Sequence, residues 1–394
     1  MFEGCPNCDL KPIRAPLEVH FDLDAAWKSL DKTVLQVARG SIWRFAPFLP
    51  VADPDRAVSL GEGGTPLLHH PSLNDTLGVP NLLLKNESMN PTWSFKDRFS
   101  SVAVSVAREL GYAKIVASST GNHGASAAAY AGAAGLRSLV LVPRETPMIL
   151  RQLIEAYGAR AVATEWHGRG GLVTILTRQH GWFPATGSLP DPIGTPFGLE
   201  GYKTIGYELV LQSREAPPDY VLTSVGGGDQ LYGIYKGLRE FRDLGIVSAV
   251  PHMVACQAEG ASPVVNSFER GLSRVAPVKT AYSIATSTRE EVAGDHALRA
   301  LRESDGLGVR VTEEEILAAM RTLSRQGIAA EAASCIPVAA ARKLIVDKRV
   351  PPTARIACIL TSTGIKWPEQ LALLGSEPAS VEPTLDALAS VTEL

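Results

Sequence analysis

The sequence lacks everything that would tie it to a membrane or a nucleic acid. It has no run of about 18 apolar residues, so no segment is expected to cross a bilayer as a helix. It has no dense basic stretch, and a net charge of −3 over 394 residues offers no footprint for nucleic acid. The N-terminus has no charged start followed by an apolar core, so a cytoplasmic location is expected rather than secretion. Cysteines are few: Cys5, Cys8, Cys256, Cys335 and Cys358 are too scattered for a disulfide framework. Cys5-Pro6-Asn7-Cys8 has the spacing of half a zinc knuckle. A structural zinc needs four ligands, no second pair follows nearby and His20 alone does not complete the set, so no metal is expected. Internal repeats and low-complexity tracts are missing too.

What is present suits a globular enzyme: 45% hydrophobic and 20% charged residues, in a length that suits two or three domains with their own cores. Residues 1–55 read as an N-terminal extension. Beyond it, strand and helix signals alternate. Residues 82–84, 114–117, 139–142, 161–163, 220–223, 253–256 and 356–360 are short apolar runs that read as strands. Residues 94–110, 125–134, 148–157 and 231–241 read as helices. Thr312-Glu313-Glu314-Glu315 is a capping box. Its helix puts Ile316, Leu317, Met320 and Leu323 on one face and stops at Gly327. Continuous apolar strands separated by helices predict an α/β fold with parallel sheets covered on both faces. The polar tail after residue 375 is expected to be loosely held.

Four segments carry candidate chemistry. Pro91-Thr92-Trp93-Ser94-Phe95-Lys96-Asp97-Arg98 turns into an amphipathic helix. A free lysine amine has a pKa near 10.4, but burial and the positive end of a helix both favour the neutral, nucleophilic form. Ser119-Thr120-Gly121-Asn122-His123-Gly124 leaves a strand and opens a helix, where backbone N–H groups bind anions such as a carboxylate. An ordinary turn capped by Ser119 or Thr120 has the same pattern, and His123 reads as a satisfied neighbour rather than an acid. Gly226-Gly227-Gly228-Asp229-Gln230 lets successive amides converge on a phosphate. It is neither a Walker loop nor a dinucleotide fingerprint. Asp229 would be repelled by a phosphate, so it is expected to point outward and cap the next helix. Thr361-Ser362-Thr363-Gly364 puts a hydroxyl at a strand end, in reach of a pyridine nitrogen or simply in a polar turn. An amine, an anion-binding turn and a glycine cradle are the parts that hold pyridoxal 5′-phosphate (PLP), with Lys96 as the Schiff-base lysine.

In this order the motifs resemble fold-type II PLP enzymes, and among them the threonine synthase family. Ser94 to Arg98 matches the family's SFKDR. Gly61-Glu62-Gly63-Gly64-Thr65-Pro66-Leu67 is similar to GEGNTPL, and Ser119-Thr120-Gly121-Asn122 followed by Ala127-Ala128-Ala129-Tyr130-Ala131 is similar to STGN…AAYA. Glu200-Gly201-Tyr202-Lys203-Thr204 resembles EGQKT, and Thr361-Ser362-Thr363-Gly364-Ile365-Lys366 resembles TGHGLK. Even Cys5 and Cys8 resemble an N-terminal knuckle of the family. The resemblance implies a tryptophan synthase β-like fold of two three-layer αβα domains with mostly parallel sheets. Residues 56–98 and 185–394 would form the larger, cofactor-binding domain, and 99–184 a smaller mobile one. It implies PLP held by Lys96, Asn122, Gly226, Gly227, Gly228, Asp229, Gln230 and Thr361, with Ser119, Thr120 and His123 on the substrate. It also implies a homodimer.

Three departures bear on the reaction. Trp93 stands where the family has a small residue, and is expected beside the cofactor. Asp229 replaces a glycine of the family's GNGGN loop. Gly198, in Thr195-Pro196-Phe197-Gly198, replaces the arginine of a run that resembles a clamp for the substrate phosphate. A guanidinium forks onto phosphate and glycine offers nothing. The expected activity is elimination or replacement at the β or γ carbon of an L-amino acid, with Lys96 as general base. Threonine synthesis from phosphohomoserine, and an ammonia-lyase or β-replacement reaction on serine or threonine, are the alternatives within that class. A non-catalytic PLP-binding relative is the rival from another class.

Overall fold

The structure is a computed structural model that describes residues 2, 17–36, 40–186, 195–213, 216–375 and 377–392; Cys5 and Cys8 lie outside them. Among the described residues ten strands form two sheets. They are β1 (Leu67–His69), β2 (Leu82–Asn86), β3 (Lys114–Ser118), β4 (Arg137–Pro143), β5 (Arg160–Thr164), β6 (Phe183–Pro184), β7 (Tyr220–Ser224), β8 (His252–Ala258), β9 (Leu307–Val311) and β10 (Ile356–Leu360). The six-stranded sheet has the order β1-β2-β10-β7-β8-β9, and the four-stranded sheet β5-β4-β3-β6. Among these strands of the described residues only the β1–β2 pair is antiparallel; the other pairs run parallel. The all-buried run Ile356-Ala357-Cys358-Ile359-Leu360 is β10, central in its sheet, which is why it reads as a continuous apolar stretch rather than an alternating one. The protein is therefore an α/β fold with mostly parallel sheets and intervening helices.

Parallel strands put their C-terminal ends on one side, where loops into the following helices collect. The 119–121 turn follows β3, the 225–228 turn follows β7 and the 361–363 turn follows β10. The helix Lys96–Glu109 is buried from Asp97 through Ala107, because it packs against both Pro196–Gln212 and Asn122–Ala133. Close approach requires small residues: a Cβ on Gly201 would collide with the Arg98 carbonyl, and one on Gly237 with that of Lys203.

The N-terminal extension is ordered over Leu23–Ser29 and Ile42–Phe48. Phe45 and Phe48 dock edge-on to Tyr207, which stacks on Phe241 at 4.3 Å. The capping box is present: Glu315 N–H donates to Thr312 Oγ1 at 3.2 Å, and Thr312 N–H to Glu315 Oε2 at 2.8 Å. In the tail, the helix Leu385–Ala389 has no buried residue.

Candidate active site

Lys96 is the first residue of its helix. Three backbone ties fix it against the end of β10. Phe95 N–H donates to Thr361 O at 3.0 Å, Thr363 N–H donates to Trp93 O at 3.3 Å, and Ser94 bridges to Ser362. The Lys96 Nζ lies 4.4 Å from the centre of the Phe95 ring and 5.6 Å from that of Tyr202. Burial pushes its pKa down, against the opposing pull of Asp229, Glu290 and Glu331.

The second wall comes from the end of β3 and the helix Asn122–Ala133. Ser119 Oγ accepts from the N–H groups of Gly121 at 3.0 Å and Gly124 at 2.8 Å, so it holds the turn's shape. Asn122 Nδ2 donates to Glu331 Oε2 at 2.8 Å, and its Oδ1 accepts from Ser362 Oγ at 3.3 Å. His123 Nε2 lies 2.6 Å from the Ala185 carbonyl. That carbonyl can only accept, so Nε2 carries the proton. Burial first, then Lys96, hold the imidazole pKa down to about 3. His123 is neutral at physiological pH and supplies no acid.

The third wall is the glycine turn after β7. Gly228 has φ +104°, and a Cβ there would meet Ala297 Cβ at 2.8 Å, so both conformation and space demand glycine. Gln230 Oε1 accepts from Thr223 Oγ1 at 2.6 Å. Its Nε2 is a buried donor without a partner, at the N-terminus of the helix Asp229–Asp243. An orphaned donor beside a glycine turn and a helix start fits a phosphate. On the fourth side, Thr361 Oγ1 and Ser334 Oγ lie 2.9 Å apart.

One cavity of about 350 Å³ is lined by Lys96, Ser119, Thr120, Asn122, His123, Gly226, Gly227, Gly228, Asp229, Gln230 and Thr361. The structure thus gathers every site residue named from the sequence. Two expectations are corrected. Asp229 does not cap its helix: Gly228 is the N-cap residue, without a side-chain cap. Asp229 Oδ1 instead lies 3.1 Å from His296 Nε2, and its charge acts on Lys96. The carboxylate is drawn inward because a neighbouring imidazole and amine favour it. Trp93 does not line the cavity; the residue is 46% exposed. Its φ of +61° lies in the left-handed region.

Four charged lining residues belong to none of the motifs: Arg169, Glu290, Glu291 and Glu331. Glu331 is buried, and its Oε1 accepts from Ser287 Oγ at 3.0 Å. Burial pushes Glu290 up to about 7, although Arg169 and Lys96 pull the other way. Arg169 Nε donates to Trp166 O at 3.0 Å. The glycines flanking Arg169, in Trp166-His167-Gly168-Arg169-Gly170-Gly171, were the visible signal of a helix start. Glu331 precedes an alanine-rich helix and carries no comparable mark. Among the described residues no cluster of three or more His, Cys, Asp or Glu is arranged to hold a metal, and no helix is long and apolar enough to cross a membrane.

Comparison with known proteins matches residues 58–362 to the family model described as pyridoxal-phosphate dependent enzyme. The threonine synthase of Methanocaldococcus jannaschii is 36% identical over 379 residues, covering 94% of this chain and 92% of the relative. That of Methanosarcina acetivorans is 35% identical, covering 98% and 93%. Among solved structures, the processed form of threonine deaminase isoform 2 from Solanum lycopersicum superposes with a TM-score of 0.68 at 20% identity, covering 91% of this chain and 96% of that one. This last likeness concerns the fold alone. With the cavity, the orphaned Gln230 donor and the buried Lys96 on one side and these matches on the other, the chain is a PLP-dependent enzyme and belongs to the threonine synthase family.

Proposed function

We propose that the chain is a lyase or synthase that eliminates or replaces a group at the β or γ carbon of an L-amino acid. The observation that carries this reading is the Lys96 amine, depressed in pKa and without an ion pair among the described residues, in the same cavity as the glycine turn. Lys96 Nζ would bind the cofactor covalently. The amides of Gly226, Gly227 and Gly228 and the Gln230 Nε2 would hold its phosphate, with Asp229 beside them. Asn122 and Thr361 would meet its ring. When bound, PLP supplies an electron sink for the substrate's α carbon. Thr361 is a neutral partner, backed by the neutral Ser334. That pairing leaves a pyridine nitrogen largely unprotonated, which suits elimination better than transamination.

Ser119, Thr120 and His123 would orient the substrate carboxylate. Lys96 Nζ, freed by the substrate amine, would take the α proton as general base. The electron pair of that bond would form a bond between the α and β carbons as a β group departs with its own pair; departure of a γ group would need a second proton to be taken, from the β carbon. For a β-hydroxy acid, water leaves, the released enamine takes up water, and a keto acid and ammonia result. The cavity is walled by both sheets' loops, so closure of the four-stranded unit would exclude water. Three unpaired buried thiols, Cys256, Cys335 and Cys358, support a reducing, cytoplasmic setting, and a homodimer is the expected working form.

A second reading, threonine synthesis from phosphohomoserine, is favoured by the two archaeal relatives that carry that name. Product analysis separates them. PLP-loaded protein is incubated with serine, threonine, homoserine and phosphohomoserine, and keto acid, ammonia, threonine and inorganic phosphate are measured. Keto acid with ammonia supports the first reading, and threonine with inorganic phosphate the second. No turnover of any of these or of other amino acids would leave a non-catalytic relative.

A further inference from the structure

The phosphate cradle carries an anion of its own. Asp229 follows Gly228 directly and is the first residue of the helix Asp229–Asp243. It lines the cavity, and its charge reaches Lys96, His123 and Tyr202. The positive end of a helix attracts any anion. A carboxylate in the first turn therefore competes with a phosphate for the same N–H groups, and the two anions repel one another.

One residue from another segment acts on that carboxylate. His296 Nε2 lies 3.1 Å from Asp229 Oδ1. An ionised carboxylate can only accept, so Nε2 carries the proton and donates. His296 is buried and is not part of the cavity's lining, whereas Asp229 is. The carboxylate is therefore gripped from behind the wall that the cofactor would face.

The imidazole is fixed on several sides. A Cβ on Gly228 would lie 3.4 Å from its Cε1 and Nε2, so the ring packs directly against the cradle. Gly294 N–H donates to Gly227 O at 2.9 Å and ties the segment before His296 to the same turn. Tyr232, about one turn along from Asp229, meets the imidazole edge-on at 5.4 Å. Arg299 Nη1 donates to the Tyr232 hydroxyl at 3.1 Å and steadies it. His296 Nδ1 is buried without a hydrogen-bond partner among the described residues, so the ring directs its hydrogen bonding at Asp229.

We infer that His296 is a positioning residue for the cofactor's phosphate: by donating to Asp229 it holds a competing carboxylate off the glycine cradle. The inference rests on the assignment of Gly226, Gly227, Gly228 and Gln230 to that phosphate. It adds a residue that lines no part of the cavity, and it accounts for an acidic residue in a loop built for an anion.

The test uses the full chain, freed of cofactor and titrated with PLP. Affinity is read from the absorption band of the bound cofactor, and the phosphate from its phosphorus NMR chemical shift. His296→Leu removes the donor at similar volume and is expected to weaken PLP binding by about tenfold, the size of one hydrogen bond to a charged group. His296→Gln keeps an N–H donor in nearly the same place and should stay within about threefold of the wild type. In an Asp229→Asn background no carboxylate needs holding, and His296→Leu should cost less than about twofold. Asp229→Asn alone should bind PLP at least as tightly as the wild type and move the phosphorus signal, since the phosphate loses a charged neighbour. An equal loss from His296→Leu in both backgrounds, or no loss in either, would reduce His296 to a packing residue and overturn the inference. So would a tenfold weaker affinity in Asp229→Asn, a result that decides the matter even where His296→Leu fails to fold. A wild-type protein that binds no PLP would overturn the functional reading, and the inference with it.

Discussion

Lys96 and Arg98 are two residues apart in one helical turn, yet they inhabit opposite electrostatic worlds. Arg98 is fully buried. Its Nε and Nη2 donate to the two oxygens of Glu87 at 2.7 and 2.8 Å, and Nη1 and Nη2 to those of Glu208 at 2.8 Å each. Lys85 completes the network, with Nζ 2.6 Å from both Glu208 Oε2 and the Thr65 carbonyl and 2.8 Å from Gln212 Oε1. The Lys96 amine has no such partner among the described residues and feels Asp229, Glu290 and Glu331 only at a distance. Buried cations with full complements of acceptors are structural and chemically quiet. One left without them is raised in free energy as the charged form and is available as a nucleophile. The run Ser94 to Arg98 is thus half scaffold and half chemistry.

The sharpest way to break that division is Lys96→Ala. Turnover should fall by at least about a thousandfold. Borohydride treatment of PLP-loaded protein should leave no cofactor mass on the corresponding peptide. The urea midpoint of the cofactor-free protein should hold or rise, because a desolvated amine without an ion pair has been removed. A retained label at another lysine would show that the two regions had been assigned the wrong way round.

The converse experiment is Arg98→Met. It leaves the Glu87 carboxylate without its ion-pair partner, while Glu208 keeps Lys85, and removing one partner of a buried pair costs about 3–5 kcal/mol. Urea unfolding should show that loss, while whatever protein stays folded should still bind PLP stoichiometrically. A loss below about 1 kcal/mol would mean the network is solvated and the contrast with Lys96 is weaker than the geometry says.

The same contrast explains what the sequence revealed and what it hid. The β7 and β10 strands announce themselves because both faces are buried, leaving uninterrupted apolar runs. The loops that follow them carry glycines and hydroxyls in patterns with few other uses. The edge strands were harder: β1 is three residues long and β6 two, too short for any period. Arg169, Glu290, Glu291 and Glu331 come from segments far apart in the chain, and only the packing of two sheets brings them to one cavity. The direction of a side chain was least legible of all. Asp229 faces inward because His296, 67 residues away, meets it there, and no local pattern encodes that partner.

Lys366 tests the ground between the two extremes. It is buried and gives one hydrogen bond, Nζ to the Thr92 carbonyl at 2.9 Å. Burial brings its pKa down to about 8, with Glu331 and Asp97 opposing. The folded pKa lies below the unfolded value of 10.5, so between these limits the unfolded chain binds more protons and stability rises with pH. Over pH 8 to 10 the cofactor-free protein should gain about 2 kcal/mol from this group, at about 1.4 kcal/mol per unit. Urea midpoints across that window should climb in the wild type and flatten in Lys366→Met. A slope that survives the substitution would assign the effect to the other buried lysines with the same sign of shift, Lys85, Lys96 and Lys236.

The smallest effect is expected at Trp93, where the scaffold shows strain beside the reactive lysine. Its φ of +61° is a left-handed conformation that costs an L-residue about 1–2 kcal/mol. The backbone is held there by its own hydrogen bonds: Trp93 N–H donates to Asn90 O at 2.8 Å, and Trp93 O accepts from Ser362 Oγ at 2.9 Å. The residue is half exposed and its ring takes no part in those ties. Trp93→Gly should therefore keep the turn and relieve the strain. The gain is offset by the glycine's larger freedom in the unfolded chain, leaving about 0.5–1 kcal/mol of added stability. Turnover should stay within about twofold, because the ring lies outside the cavity. A tenfold loss with the fold intact would put the ring in contact with substrate once the four-stranded unit closes, and would extend the reactive region two residues further into the turn than the open cavity shows.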